Sequence, residues 1–282
     1  MSENRGIILL AATPIGNAGD ASERLRTALE KSDLIAAEDT RKALALAARL
    51  GVAIKSDLIS FHEHNEHARK QMLIEAARSG KTVLVISDAG MPVVSDPGYG
   101  LVGAAATAGV HVTVLPGPSA VLTALVLSGL PSDRFSFEGF LPRKSGQIKQ
   151  RLSELAQAQR TMIFFESAKR VHDSLALMVE IFGAKRPACL CRELTKTYEE
   201  AVRADLGTLV EYTEGEVLGE ICIVVGPAPA TAKGDTNDLA GDVLELAALG
   251  VKLKDAAAYV AKKNGVRKND LYQAALAAKD GK

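Results

Sequence analysis

The sequence predicts an α/β protein of two lobes carrying a small helical domain at its C-terminal end, and three observations predict it. Short β-branched runs alternate with helix-patterned stretches through the first half, the pattern of strands covered by helices. A Pro116-Gly117-Pro118 break is followed by a second series of strands and helices. A stretch at 227–238 rich in Pro, Ala, Thr, Gly and Asp then precedes three helical segments. The implied division is an N-terminal α/β lobe at 1–117, a second α/β lobe at 118–228, a linker at 229–237 and a helix-turn-helix-like appendage at 238–282.

In the first lobe, 6–12 reads as a buried strand that ends at the loop Thr13-Pro14-Ile15-Gly16-Asn17. A helix at 22–31, a strand at 33–37 and a helix at 41–50 follow, the last stopped by Gly51. A strand at 58–61, a helix at 64–79 closed by Gly80 and a strand at 82–87 continue the alternation. Pro97 after Asp96 marks the start of a capped helix running to Gly109, and 111–115 is the next strand. In the second lobe a helix follows Pro118. Strands are expected at 135–140, 161–165, 188–192, 200–204 and 221–225, with helices at 148–158, 170–182 and 206–213. The appendage reads as helices at 239–249, 254–263 and 268–278, separated by Gly250 and Gly265.

With 282 residues, 47% of them apolar and 24% charged, the chain is long enough to bury sizeable cores. No apolar run approaches the ~20 residues that a membrane helix needs. The stretch at 7–12 is too short and wrongly flanked for a signal peptide, so a cytoplasmic protein is expected. Cys189, Cys191 and Cys222 form an odd set without C-x-x-C spacing and read as reduced core thiols. The 34 basic and 34 acidic residues cancel, but 251–282 holds eight bases against three acids. Bulk charge therefore attracts no polyanion, and nucleic-acid binding would depend on this tail or on local patches. A solvated helical face, a helical cap and a dimerisation element are the alternative readings of the tail.

The chain has no G-x-G-x-x-G after a strand, no Walker lysine loop and no G-x-S-x-G elbow. It has instead three strand-end loops rich in small and polar residues: Thr13-Pro14-Ile15-Gly16-Asn17, the segment from Ser87-Asp88-Ala89-Gly90-Met91 to Ser95-Asp96-Pro97-Gly98, and Leu115-Pro116-Gly117-Pro118-Ser119-Ala120. Taken singly each is ordinary turn chemistry. In open α/β sheets, however, ligands sit outside the carboxyl ends of strands, where small residues bring backbone groups close, so these loops are expected to line one cleft.

The series resembles the tetrapyrrole-methylase superfamily, whose two-lobed (class III methyltransferase) fold holds S-adenosylmethionine between its lobes. Within it the chain is similar to the branch that methylates the ribose 2′-hydroxyl of a cytidine in the decoding region of 16S ribosomal RNA. The resemblance spans essentially the whole chain, and its cofactor-related parts are the Asp88-Ala89-Gly90 and Pro116-Gly117-Pro118-Ser119-Ala120 strings. The RNA-related parts are Ala37-Glu38-Asp39-Thr40-Arg41 and Phe61-His62-Glu63-His64-Asn65-Glu66, with Arg192-Glu193-Leu194-Thr195-Lys196 adding to the match. The chain departs from the pattern after Phe164-Phe165-Glu166-Ser167, where it has Ala168-Lys169 in place of a Pro or Thr and a His before Arg170. The resemblance implies that Pro14, Asp88, Ala89, Gly90, Met91, Val94, Ser119, Ala120, Phe165 and Leu194 contact S-adenosylmethionine. It also implies a homodimer and a metal-free reaction; 16S ribosomal RNA within the small ribosomal subunit is the expected partner, and no role is expected for DNA or a membrane.

Methyl transfer to a ribose hydroxyl is an in-line displacement, so the oxygen must be aligned and relieved of its proton. A general base typically contributes ~10²- to 10⁴-fold. Asp39, His62 and Glu63 are candidates for that base, and Arg41 and Lys169 for holding phosphate or stabilising alkoxide charge. Glu38 and Asp39 also read as helix-capping acids before Arg41. His62, His64 and His67 beside Glu63 and Glu66 have the residue types of a metal site, but position 62 closes a strand while 64–67 open a helix. The alternative functions are a tetrapyrrole (precorrin-type) small-molecule methylase and a non-enzymatic ribosome-associated binding protein.

Overall fold

The computed structural model describes residues 6–62, 64–95, 98–229 and 236–280. They divide into two compact units, one of 1–155 with 161–226 and one of 156–160 with 227–282.

The first unit begins with a sheet of five parallel strands: β1 (Ile7–Ala11), β2 (Leu34–Ala37), β3 (Asp57–Ser60), β4 (Thr82–Ile86) and β5 (His111–Leu115), in the order β3-β2-β4-β1-β5. Its helices are α1 (Glu23–Lys31), α2 (Thr40–Leu50), α3 (Glu66–Arg78) and α4 (Tyr99–Thr107), with a short 3₁₀ turn at Ala18–Asp20 after β1. Because side chains alternate across a strand, each strand serves two cores. Ile8, Leu10, Val83 and Val85 pack with Leu73 and Ile74 of α3 and Leu101 of α4. Ala11, Leu84 and Ile86 pack on the other face with Leu25 and Leu29 of α1 and Leu46 of α2. Ser22 caps α1 and Asp39 caps α2 through side-chain acceptors, and Gly51 ends α2 in the left-handed region at φ 68°. At α4 the expected start at Asp96 and Pro97 lies outside the described residues. The observed N-cap is Gly98, at φ 122° and without a side-chain cap of its own.

The same unit continues through α5 (Ala120–Ser128) into a second sheet of β6 (Phe135–Phe140), β7 (Thr161–Ser167), β8 (Pro187–Arg192), β9 (Glu200–Asp205) and β10 (Glu220–Val225). The order is β6-β7-β10-β8-β9. Only β6 and β7 run parallel, and the other neighbours are antiparallel. Helices α6 (Ser145–Leu155), α7 (Val171–Phe182) and α8 (Leu206–Tyr212) complete it. Val121, Ala124 and Leu125 of α5 pack on Ile163, Cys189, Cys191, Cys222 and Val224. The three cysteines are free and buried, and Cys222 pairs with Cys191 across β10 and β8.

The second unit holds α9 (Thr236–Ala248), α10 (Leu253–Asn264) and α11 (Lys268–Asp280) around a core of small residues with Val243, Val260 and Leu271. Gly265 in the left-handed region, φ 65°, turns the chain from α10 to α11. The segment 230–235 of the expected linker lies outside the described residues. Among the described residues no helix is long and apolar enough to cross a membrane.

Candidate active site

The five strands of the parallel sheet end level with one another. Ala11 sits opposite Ile86 and Leu115, and Ala37 sits opposite Ile86 and Ser60. The described residues of every motif that follows one of these strands therefore emerge on one edge: 12–17 after β1, 38–41 after β2, 61–62 and 64–66 after β3, 87–95 after β4 and 116–120 after β5. The level ending is a consequence of register and is invisible in any single motif.

A cavity of about 440 Å³ opens at this edge, against the second sheet. From the first-sheet side its wall includes Ile15, Ala89, Gly90, Met91, Val94 and Ser95, and from the start of α5 Ser119, Ala120 and Val121. The second sheet supplies Phe140, Phe165, Glu166, Ser167, Ala168, Leu194 and the run Gly219, Glu220, Ile221 and Cys222. The β1 and β4 loops are stitched by an isolated bridge in which Thr13 N–H donates to Gly90 O (2.9 Å) and Gly90 N–H to Thr13 O (3.0 Å). Gly90 adopts φ 77°, and a Cβ there would stand 3.3 Å from Ile15 Cγ2. The β8–β9 loop closes onto the β1 loop, since Asn17 N–H donates to Thr195 Oγ1 (3.1 Å). A Cβ at Gly16 would meet Lys196 Cγ at 2.5 Å.

Backbone strain is concentrated at this cavity. Among the described residues the non-glycine residues with positive φ are Val93 (77°), Ser95 (64°), Glu193 (50°) and Thr195 (64°), all in two loops that form its wall. Such conformations cost about 1–3 kcal/mol each and persist where surrounding contacts over-determine them. At the second loop the determinants are visible. Glu193 Oε1 accepts from Lys196 Nζ (2.8 Å) and from Glu220 N–H (2.9 Å), and the Lys196 ammonium holds its carboxyl below the usual carboxylate range. Phe165 packs edge-on against Phe137 (4.7 Å between centroids) and Phe140 (5.6 Å). Glu166 is buried in the wall and accepts from Ser174 Oγ (2.8 Å) and Ser167 N–H (2.8 Å).

Of the residues expected to contact the cofactor, Ala89, Gly90, Met91, Val94, Ser119, Ala120, Phe165 and Leu194 come together in this wall. Pro14 and Asp88 stand beside it. The Asp88 carboxylate accepts instead from Asp39 N–H (3.1 Å) and Lys42 Nζ (2.7 Å) at the start of α2. Wall residues without a motif signal, above all Gly219, Glu220, Ile221 and Cys222, come from an ordinary-looking strand start that the fold brings in. Burial pushes the Cys222 thiol up to about 12, so it stays protonated beside the cavity.

Of the catalytic candidates, Asp39, Arg41 and His62 follow strands at this edge. Asp39 caps α2 by accepting from Arg41 N–H (2.8 Å), and Arg41 Nε and a terminal nitrogen also donate to its carboxylate (3.1 and 2.7 Å). Arg41 is 89% exposed and holds the Asp39 carboxyl far below its ordinary range. Asn65 fixes His62: its Oδ1 accepts from His62 N–H (2.9 Å) and its Nδ2 donates to Ser60 O (3.2 Å). That orientation directs Nδ2 at His62 Nε2 (3.1 Å). Nδ1 is buried without a partner among the described residues. Lys169 is exposed in the turn after Ala168 of the wall, and Glu63 lies outside the described residues. Among the described residues no three His, Cys, Asp or Glu side chains converge as a metal site.

The fit to a sulfonium nucleoside follows from these walls. The volume lies within the roughly 300–1,000 Å³ usual for small ligands. The sides are apolar at Ile15, Met91, Val94, Phe165, Leu194 and Ile221, and the N-terminus of α5 with Ser119 faces in, a setting suited to a carboxylate.

Comparison with known proteins agrees with this architecture. The family of tetrapyrrole (corrin/porphyrin) methylases matches residues 8–210, and the RsmI C-terminal HTH domain matches 234–279. Ribosomal RNA small subunit methyltransferase I of Mycobacterium tuberculosis (strain ATCC 25618 / H37Rv) is 49% identical over 272 residues, 96% of this chain and 95% of that one. Its counterpart in Haemophilus influenzae is 42% identical over 284 residues, 98% and 99% of the two chains. Uroporphyrin-III-C-methyltransferase from Thermus thermophilus shares the fold with a TM-score of 0.53 at 20% identity, over 79% of this chain and 96% of that one. From the strand-end cavity to the three C-terminal helices, the chain belongs to the tetrapyrrole methylase family and, within it, to the ribosomal RNA small subunit methyltransferase I family.

Proposed function

We propose that this chain methylates the ribose 2′-hydroxyl of a cytidine in the decoding region of 16S ribosomal RNA, within the small ribosomal subunit, using S-adenosylmethionine. The observation that carries the reading is the cavity at the level ends of β1, β4 and β5, with the Asp39–Arg41 and His62–Asn65 pairs on the same edge. Bound there, S-adenosylmethionine supplies an electrophilic methyl group. The chain's own residues enclose it, exclude water with Met91, Val94, Phe165 and Leu194, and present the RNA along the edge.

Asp39 is engaged by Arg41 and has lost basicity, so it acts as the support that aims an exposed guanidinium at a phosphate. His62, with Nε2 against Asn65 Nδ2, shapes the edge. Arg41 and Lys169 are the exposed cations that favour the developing alkoxide and its neighbouring phosphates. The C-terminal bases Lys262, Lys263, Arg267 and Lys268, exposed around the α10–α11 turn, add RNA affinity. Exposed Leu122 and Val126 on α5 favour a homodimer, which a mass measurement in solution tests.

The deciding experiment is transfer of labelled methyl from S-adenosylmethionine to small subunits isolated from cells lacking this protein. Label is expected at one ribose 2′-oxygen. Label reaching only a tetrapyrrole precursor, or RNA binding with no transfer, overturns the reading. Deleting residues 235–282 should leave donor affinity nearly intact and weaken RNA modification. Equal loss of both would show that these helices only support the fold.

A further inference from the structure

We propose that Glu66 is a positioning residue for the donor cavity, holding its 91–95 wall from a neighbouring helix. The inference rests on the reading of that cavity as the S-adenosylmethionine site. Gly98, the N-cap of α4, has no side chain to cap the helix. The missing acceptors come from α3: Glu66 Oε2 accepts from Gly98 N–H (3.2 Å) and Oε1 from Leu101 N–H (3.1 Å), across 32 and 35 residues of sequence. The carboxylate reaches these groups because position 100 is glycine. A Cβ there would stand 2.9 Å from Glu66 Oε1. Leu101 is fully buried in the core with Phe61 and Leu73, so the capped end is anchored.

The segment this anchor sets is the strained one. Val93 and Ser95, at φ 77° and 64°, precede Gly98, and a Cβ at Gly98 would meet Val93 Cγ2 at 3.1 Å. Met91, Val94 and Ser95 of that segment face the cavity. Glu66 also directly follows Asn65, the residue that fixes His62. One short string thus secures both the RNA-facing edge and the donor wall, so the Phe61–Glu66 motif is not solely a substrate motif. Without Glu66, the Gly98 and Leu101 N–H groups lose this acceptor, and Gly98, against which Val93 of the 91–95 wall stands, loses its hold.

The test compares Glu66→Ala with Asp205→Ala in the full-length protein. Asp205 caps α8 in the same manner, accepting from Thr208 N–H, but does not line the cavity. Both variants should lower the melting temperature. Glu66→Ala alone should weaken S-adenosylmethionine binding about tenfold by calorimetry and raise its KM, with kcat at saturating donor within about twofold. Glu66→Gln, which keeps one acceptor, should weaken binding about threefold and covers the case in which the alanine variant fails to fold. Donor affinity unchanged in the folded Glu66 variants, or reduced equally by Asp205→Ala, overturns the proposal. Absence of donor uptake by the unaltered protein instead overturns the assignment of the cavity.

Discussion

The two sheets meet the cavity in different ways. The parallel sheet contributes loop backbone: Gly90 in the left-handed region, the Thr13–Gly90 bridge, and the start of α5. The mixed sheet contributes side chains from strands and turns, Phe165, Glu166 and Cys222, and a loop held in strain by the Glu193–Lys196 pair. Parallel strands all point their carboxyl ends to one edge, so loops alone can build that wall. In a sheet with antiparallel neighbours alternate strands enter and leave at the same end, and the start of β10 becomes wall as readily as the end of β7. The first wall is shaped by conformation. The second is shaped by packing and charge.

The sharpest way to break this comparison is at Gly219. With φ 93° and Glu193 Cγ 2.5 Å from the site of a Cβ, Gly219→Val must displace Glu193 and disrupt the charged loop. Donor affinity should fall at least about 100-fold by calorimetry, against about tenfold for Gly90→Ala, where Ile15 Cγ2 has room to yield at 3.3 Å. Equal losses would mean that both walls are governed by backbone conformation alone.

Next in size is the edge outside either wall. Arg41→Ala should slow single-turnover RNA methylation by about 10- to 100-fold with donor affinity unchanged, and Asp39→Asn should have a smaller effect of the same kind. If Asp39→Asn proves the more damaging, Asp39 is the proton acceptor after all.

Glu193→Gln tests the charge on the second wall. The Lys196 ammonium depresses the Glu193 carboxyl, so in the folded protein the carboxylate form is favoured. Its contribution is complete above the ordinary value of 4.5 and is lost as pH falls below it, through the depressed value. Glu193→Gln should weaken donor binding a few-fold at neutral pH and remove that acid-side decline in stability, as calorimetry and a pH series of melting temperatures would reveal. The smallest effect is expected at Cys222→Ala. Since burial raises the thiol to about 12, donor affinity from about pH 6 to about pH 9 should change by less than about twofold and show no new titration.

Much of the architecture was legible because its signals are local. The buried run at 7–11, the alternation that follows and the glycine stops at 51 and 265 each report on neighbours within a few residues. Two element ends are set by side chains that hydrogen-bond back onto the backbone. The strand expected at 58–61 is observed as Asp57–Ser60 and the helix expected at 64–79 as Glu66–Arg78, with Asn65 hydrogen-bonded back to Ser60 and His62 between them. Helix α4, whose expected start at Asp96 and Pro97 lies outside the described residues, also draws acceptors for Gly98 and Leu101 N–H from Glu66, far away in sequence. Of the cavity, the glycine- and serine-bearing loops after parallel strands were readable as a class, whereas Gly219 to Cys222 carried no local mark.

By itself the sequence determined which segments are strands and helices and that small, polar loops follow the strands of the first lobe, because periodicity and turn chemistry act over a few residues. Only the tertiary structure decided that these strands end level, that the start of β10 completes the cavity, and that Glu66 caps a helix more than thirty residues on. Register, antiparallel pairing and side-chain capping between elements are set by packing between distant parts of the chain, and no window of sequence contains them.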